Sequence, residues 1–167
     1  MTTSTENAKL PMLVATFFGS GLVPIAPGTV GSLAALPLAY ILLSVPTWFA
    51  ILVFFLLFGV GVWASNAVEV ALEEHDASLI VIDEVVGQCL VVILLDLCLR
   101  GAVDTDLLML VSFIGFRLFD IAKPWPVGWV DGKVEGGFGV MLDDVIAALL
   151  VVPVVAGAYL LYAFTSI

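Results

Sequence analysis

Two pairs of adjacent acids, Asp83 with Glu84 and Asp143 with Asp144, each stand immediately before a long apolar run. One acid at such a place is explained by helix capping and the positive end of the helix dipole, worth about 0.5 to 2 kcal/mol. Two neighbouring carboxylates at two separate helix starts exceed that explanation, because they repel one another unless a cation binds them. A hard divalent ion such as magnesium takes oxygen ligands from a few carboxylates and leaves its other positions to water and phosphate. Arg117, Asp120 and Lys123 recur at every third residue, near one face of a helix that Pro124 is expected to end. A guanidinium and an ammonium beside a carboxylate-bound metal make a phosphate clamp, the first by bidentate contact and the second as a point charge. His75 is the only histidine, and Asp76 follows it. Oriented by Asp76, it could donate a proton to a leaving alkoxide or align water; a hydrogen-bonded structural role explains a lone histidine equally well.

The elements that must position these groups are oily. The chain is 62% hydrophobic and 12% charged, with a mean hydropathy of +1.22, against about 25% charged residues in an ordinary soluble domain. Residues 10–68 contain no Asp, Glu, Lys, Arg or His. A soluble fold could not cover so much apolar surface, so lipid is the expected solvent for much of it. The reading is all-α: one polytopic membrane helical bundle formed by residues 1–167 as a single domain. A spanning helix needs about 20 apolar residues, and five stretches come near this: 30–43, 48–68, 85–99, 107–122 and 145–164. The first and third are short, so four spans are an alternative to five.

With five spans, segments 1–29, 69–84 and 117–144 share one membrane face. That face holds Lys9, Arg117, Lys123 and Lys133 against Arg100 opposite, so the positive-inside rule makes it cytoplasmic. Residues 10–25, near Pro24 and Pro27, read as a re-entrant or interfacial piece and as part of the mature protein rather than a cleaved leader. The glycine clusters "GSGLVPIAPGTVGS" and "GGFG" could line an anion cradle or simply let helices pack closely. Cys89 and Cys98 read as apolar filler, Asp96 lies away from the polar face, and the four tryptophans suit the membrane interface. A net charge of −10 argues against a nucleic-acid partner.

Three stretches, "GSGLVPIAPGTVGSLAALP", "HDASLIVIDEVVG" and "FRLFDIAKPWPVGWVDGKVEGGFGVMLDD", together over a third of the chain, resemble the bacterial phosphatidylglycerophosphatase A family. The resemblance implies a magnesium-dependent, multi-pass enzyme of the bacterial inner membrane. Such an enzyme removes the terminal phosphate of phosphatidylglycerophosphate within the bilayer, yielding phosphatidylglycerol, with its site on the cytoplasmic face. The family's polar motif positions fall on Thr29, His75, Asp76, Asp83, Glu84, Arg117, Asp120, Lys123, Asp131, Asp143 and Asp144. The implied roles are metal ligation by Asp83, Glu84, Asp143 and Asp144, and phosphate binding by Thr29, Arg117 and Lys123. His75, Asp76, Asp120 and Asp131 are then the catalytic candidates. Ala77, Glu135 and Ala148 depart from the family's usual Gly, His and Gly without removing an expected ligand.

Rival readings are a small cation transporter or channel, a phosphatase of another lipid phosphate, a lipid phosphotransferase of the CDP-alcohol type and a non-catalytic lipid-binding scaffold. A channel predicts acids spread through the bilayer rather than gathered at one face. The phosphotransferase requires a spaced double-Asp pattern on one helix that this chain lacks. Without a Cys beside an Arg in a phosphate loop, or a second His, the cysteine and histidine phosphatase routes have no support.

Overall fold

The computed structural model describes residues 9–165, and these are all-helical, with no strand among them. In chain order the helices are α1 (Lys9–Ala15), α2 (Pro27–Leu43), α3 (Thr47–Leu72), α4 (Ile82–Leu99), α5 (Thr105–Ala122), α6 (Val127–Asp131) and α7 (Gly136–Thr165). A 3-10 turn, Ser20–Leu22, separates α1 from α2.

Helix α4 is the centre of the bundle, packed by α2, α3, α5 and α7. Val85, Val86, Cys89, Val91, Val92 and Leu95 along it are fully buried. A helix that is apolar around its whole circumference is a buried one, and here protein buries it. That explains why the stretch 85–99 resembles a membrane span in composition. In α3 and α7 the opposite holds. At 26 and 30 residues and 1.5 Å per residue they run about 39 and 45 Å, enough for a hydrocarbon core of about 30 Å. Only 22% and 17% of their most apolar windows are buried, so most of their apolar surface faces outward.

Among the described residues, these two helices alone have the length and composition to cross a membrane. Five spans are therefore not what the fold displays. Helix α2 has 17 residues. Helices α4 and α5 have 18 each and carry Asp83, Glu84 and Asp96, and Asp106, Arg117 and Asp120, respectively. Segment 10–25 is likewise no span: α1 makes only seven residues, about 10 Å of helix. Phe17, Phe18 and Gly19 then turn the chain through positive φ, and the Val81 N–H donates to the Ala15 carbonyl at 2.8 Å. The N-terminal piece is thereby fastened to the strand of chain that enters α4.

The "GGFG" cluster packs α7 against α3. The Gly137 N–H donates to Asn66 Oδ1 of α3 at 2.7 Å, and a Cβ at Gly137 would come within 2.5 Å of the Val62 carbonyl oxygen. Close approach of α7 to α3 needs a residue without a side chain at Gly137.

Candidate active site

At one end of the bundle, α2, α4, α5 and α7 meet the loop between α3 and α4 around a cavity of about 350 Å³. Asp76, Ser78 and Ile80 come from that loop, and Gly28 from the first turn of α2. Asp83 and Glu84 stand in the first turn of α4, Arg117, Asp120 and Lys123 at the end of α5, and Asp143 and Asp144 on α7. Eight of the eleven positions singled out from sequence thus line one cavity.

The two acid pairs arrive by different routes. Asp83 and Glu84 do open a helix, as expected. Asp143 and Asp144 do not: α7 begins at Gly136, so they sit two turns inside it and capping cannot explain them. Both are buried, at 6% and 2% exposure, and Asp83 is at 9%. Asp83 Oδ1, Glu84 Oε2 and Asp144 Oδ2 are buried and accept no hydrogen bond. One carboxylate oxygen from each of Asp83, Glu84 and Asp144 lies within 4.8 Å of the others. Oxygens around an octahedral magnesium ion stand about 3 to 4 Å apart, so a small contraction of this trio would hold one. The orphaned oxygens and the all-carboxylate donor set both fit a hard divalent cation.

Asp143, expected as a fourth ligand, is otherwise engaged. Its Oδ2 accepts from Lys123 Nζ at 3.0 Å, and its Oδ1 from the Asp144 backbone N–H at 3.0 Å. Lys123 also donates to Asp131, which stands at the end of α6. Asp131 is therefore tied to the cavity through Lys123 rather than lining it. Lys123 caps α5 in the left-handed region at φ 41°, so the helix ends before Pro124 as expected, though not in the extended backbone that a following proline favours. Burial alone would depress the Lys123 ammonium, yet Asp131 and Asp143 hold its pKa above the ordinary value. Asp76 stands at the cavity rim, where desolvation raises its carboxyl against the pull of Lys123.

Arg117 Nη1 donates to Asp120 Oδ2 and lies 3.7 Å from Glu84 Oε1. It also reaches Ser32 Oγ at 3.4 Å. A Cβ at Gly28 would overlap the Glu84 carboxylate, so glycine there makes room for the acid. Thr29 is half-buried beside Gly28 and is not part of the lining. His75 leaves the cavity altogether: its Nδ1 lies 2.5 Å from Glu69 Oε1, and Asp76 does not orient it. Ser32 and Glu69 were not singled out from sequence. Ser32 follows Gly28 by four residues, a spacing that puts the two on one helix face; Glu69 gave no comparable signal.

The family model described as phosphatidylglycerophosphatase A matches residues 13–159. The chain belongs to this family. A phosphatidylglycerophosphatase A of Escherichia coli (strain K12) is 38% identical over 140 residues, 83% of this chain and 77% of the relative. One from Haemophilus influenzae is 42% identical over 144 residues, 86% and 85% of the two chains. A protein of Bacteroides thetaiotaomicron, 36% identical over 148 residues, covers 84% of this chain and 87% of its own. That relative carries the provisional name phosphatidylinositol-3-phosphatase. No solved structure gives a significant match. Membership of the phosphatidylglycerophosphatase A family makes the chain a phosphatase, and the cavity gathers six carboxylates, an arginine and a lysine.

Proposed function

We propose that the protein hydrolyses the terminal phosphate monoester of phosphatidylglycerophosphate in a magnesium-dependent reaction. The setting is the cytoplasmic face of a bacterial inner membrane. One observation carries the reading most: three carboxylates, each with a buried and orphaned oxygen, at a cavity that Arg117 and Lys123 also line. Six carboxylates and two cations line that cavity, an excess of negative charge that would repel a phosphate dianion. The excess makes sense only if cations complete the site.

Asp83, Glu84 and Asp144 would hold the metal. Bound there, a divalent ion would polarise the phosphoryl oxygens and lower the pKa of bound water. The remaining work belongs to the chain. Arg117 and Lys123 grip non-bridging oxygens, each exchanging part of its present carboxylate contact for the substrate's. Asp120 and Asp131 keep those cations aimed, and Thr29 adjoins the lining residue Gly28 in the first turn of α2. Asp76, with its carboxyl raised at the rim, takes or gives the proton at the water or the departing glycerol oxygen.

The membrane reading rests on α3 and α7, whose outward apolar faces suit lipid. Ile121 of the cavity lining and the nearby Trp125 and Trp129 are exposed, as befits residues at headgroup depth. All eight charged lining residues gather at one end of the bundle, which speaks against an ion path through it. A second substrate reading has support of its own: one relative is named for a phosphoinositide. Phosphate release from a panel of lipid phosphates by purified protein in detergent tests both. The expected result is preference for phosphatidylglycerophosphate and loss of activity in excess chelator, restored by magnesium. Full activity in chelator would remove the metal from the mechanism, and a faster rate on a phosphoinositide would replace the substrate.

A further inference from the structure

We propose that Glu69 is a positioning residue: its carboxylate, near the end of α3, fixes the His75–Asp76 turn so that Asp76 faces the reaction cavity. The proposal rests on the reading of Asp76 as the proton-transfer group. Glu69 Oε1 accepts the Asp76 backbone N–H at 2.8 Å and meets His75 Nδ1 at 2.5 Å. The Glu69 side chain is only 10% exposed, whereas that of His75 is 51% exposed. A single oxygen atom therefore anchors two consecutive residues of a loop that has no helix of its own between Leu72 and Ile82.

The loop needs an anchor. Asp76 has φ 49°, in the left-handed region that residues with a Cβ adopt at a cost. Its N–H is satisfied by the Glu69 side chain rather than by a backbone carbonyl. A turn held in this conformation sends consecutive side chains to different places. Asp76 lines the reaction cavity, while His75 lines a separate groove of about 460 Å³ with Glu69, Glu73, Glu74 and Glu135. The two cavities share no lining residue. The pair is thus not a dyad in which Asp76 orients His75; Glu69 orients both, and only Asp76 is delivered to the phosphate.

The test is steady-state release of phosphate from phosphatidylglycerophosphate by purified protein in detergent. It compares Glu69→Ala, Glu69→Asp, Glu69→Gln and Asp76→Asn with the combination Glu69→Ala/Asp76→Asn. Asp76→Asn should lower kcat about 100-fold or more, the scale of a lost acid or base. Glu69→Ala should lower kcat at least about tenfold with KM little changed, because displacing a reacting group by about 1 Å has that order of effect. Glu69→Gln keeps a carbonyl oxygen for the Asp76 N–H and should recover to within about threefold of wild type.

The combined variant should be no slower than Asp76→Asn alone, since the two changes act through one group; a general loosening of the fold would add its own loss. If Glu69→Ala does not fold, Glu69→Asp decides, because it keeps the charge and withdraws the acceptor by one methylene. Normal kcat in Glu69→Asp and Glu69→Ala, beside an inactive Asp76→Asn, overturns the anchor and leaves Asp76 in place. Losses that add in the combined variant overturn it too. Near-normal turnover in Asp76→Asn removes the proton-transfer role itself, whatever the Glu69 variants do.

Discussion

The floor of the cavity and its lysine corner both carry carboxylates but satisfy them in opposite ways. In the corner, Lys123 is shared between Asp131 and Asp143, and beside it Arg117 is paired with Asp120. Opposite charges meet, although the buried Arg117 Nε keeps no partner. On the floor, Asp83, Glu84 and Asp144 crowd together with one buried oxygen each left unpartnered. Crowded acids at such depth are costly, and the floor has only Arg117, 3.7 Å from Glu84, to set against them. On the proposed reading, the comparison says where the missing charge would belong: a cation from solution would complete the floor, while the corner would exchange carboxylate oxygens for those of a phosphate.

The largest effect should come from the floor. Replacing Asp83 or Asp144 with Asn should cut kcat by about 10² to 10³, the order lost with a principal electrostatic group. Either change should also abolish binding of manganese, read directly by electron paramagnetic resonance or calorimetry on the folded protein. Asp143→Asn, next to Asp144 in sequence but paired with Lys123, should keep manganese binding within about tenfold, the lower end of losses for outer-shell partners. If Asp143→Asn loses the ion as completely as Asp144→Asn, the division between floor and corner is wrong.

The corner should respond differently to the loss of its own cation. Lys123→Ala leaves Asp143 buried beside Asp131 without its partner, so the variant should be less stable and slower by about 10- to 100-fold. Adding Asp143→Asn should restore part of the lost stability and none of the lost rate, because only the first depends on neutralising the stranded acid. Thermal unfolding in detergent and phosphate release, measured on the single and double variants, separate the two. Recovery of activity in the double variant would show that Lys123 acts on Asp143 alone and not on substrate.

How much of this was legible beforehand varies with the physics. The acids and the Arg117 to Lys123 ladder stood out because charge is rare in this chain, and their gathering at one end follows from successive helices folding back on one another. The span count was not legible in the same way. Composition cannot tell a helix buried by lipid from one buried by protein, and α4 is the second kind. The position of Asp143 and Asp144 inside α7 was hidden because "GGFG" has the composition of a turn yet forms the helix's first turn against α3. His75 and Asp76 are adjacent in sequence but part company through one left-handed residue. Glu69 acts six residues away, and Ser32 reaches Arg117 across 85 residues of sequence. Contacts of that range exist only after the bundle has formed.

Ser32 offers the finest test of the boundary between the two regions, since Arg117 touches both through Glu84 and Asp120. Its hydroxyl is fully buried, donates to the Gly28 carbonyl at 2.9 Å and accepts from Arg117 Nη1 at a long 3.4 Å. A hydrogen bond of that kind contributes about 0.5 to 1 kcal/mol, or about two- to fivefold in an equilibrium. Ser32→Ala should therefore raise KM by about two- to fivefold with kcat and manganese binding near wild type, because Asp120 still holds the guanidinium. A loss of manganese affinity instead would mean that Ser32 supports the floor, through Gly28 and the Glu84 carboxylate it accommodates, more than it supports the arginine.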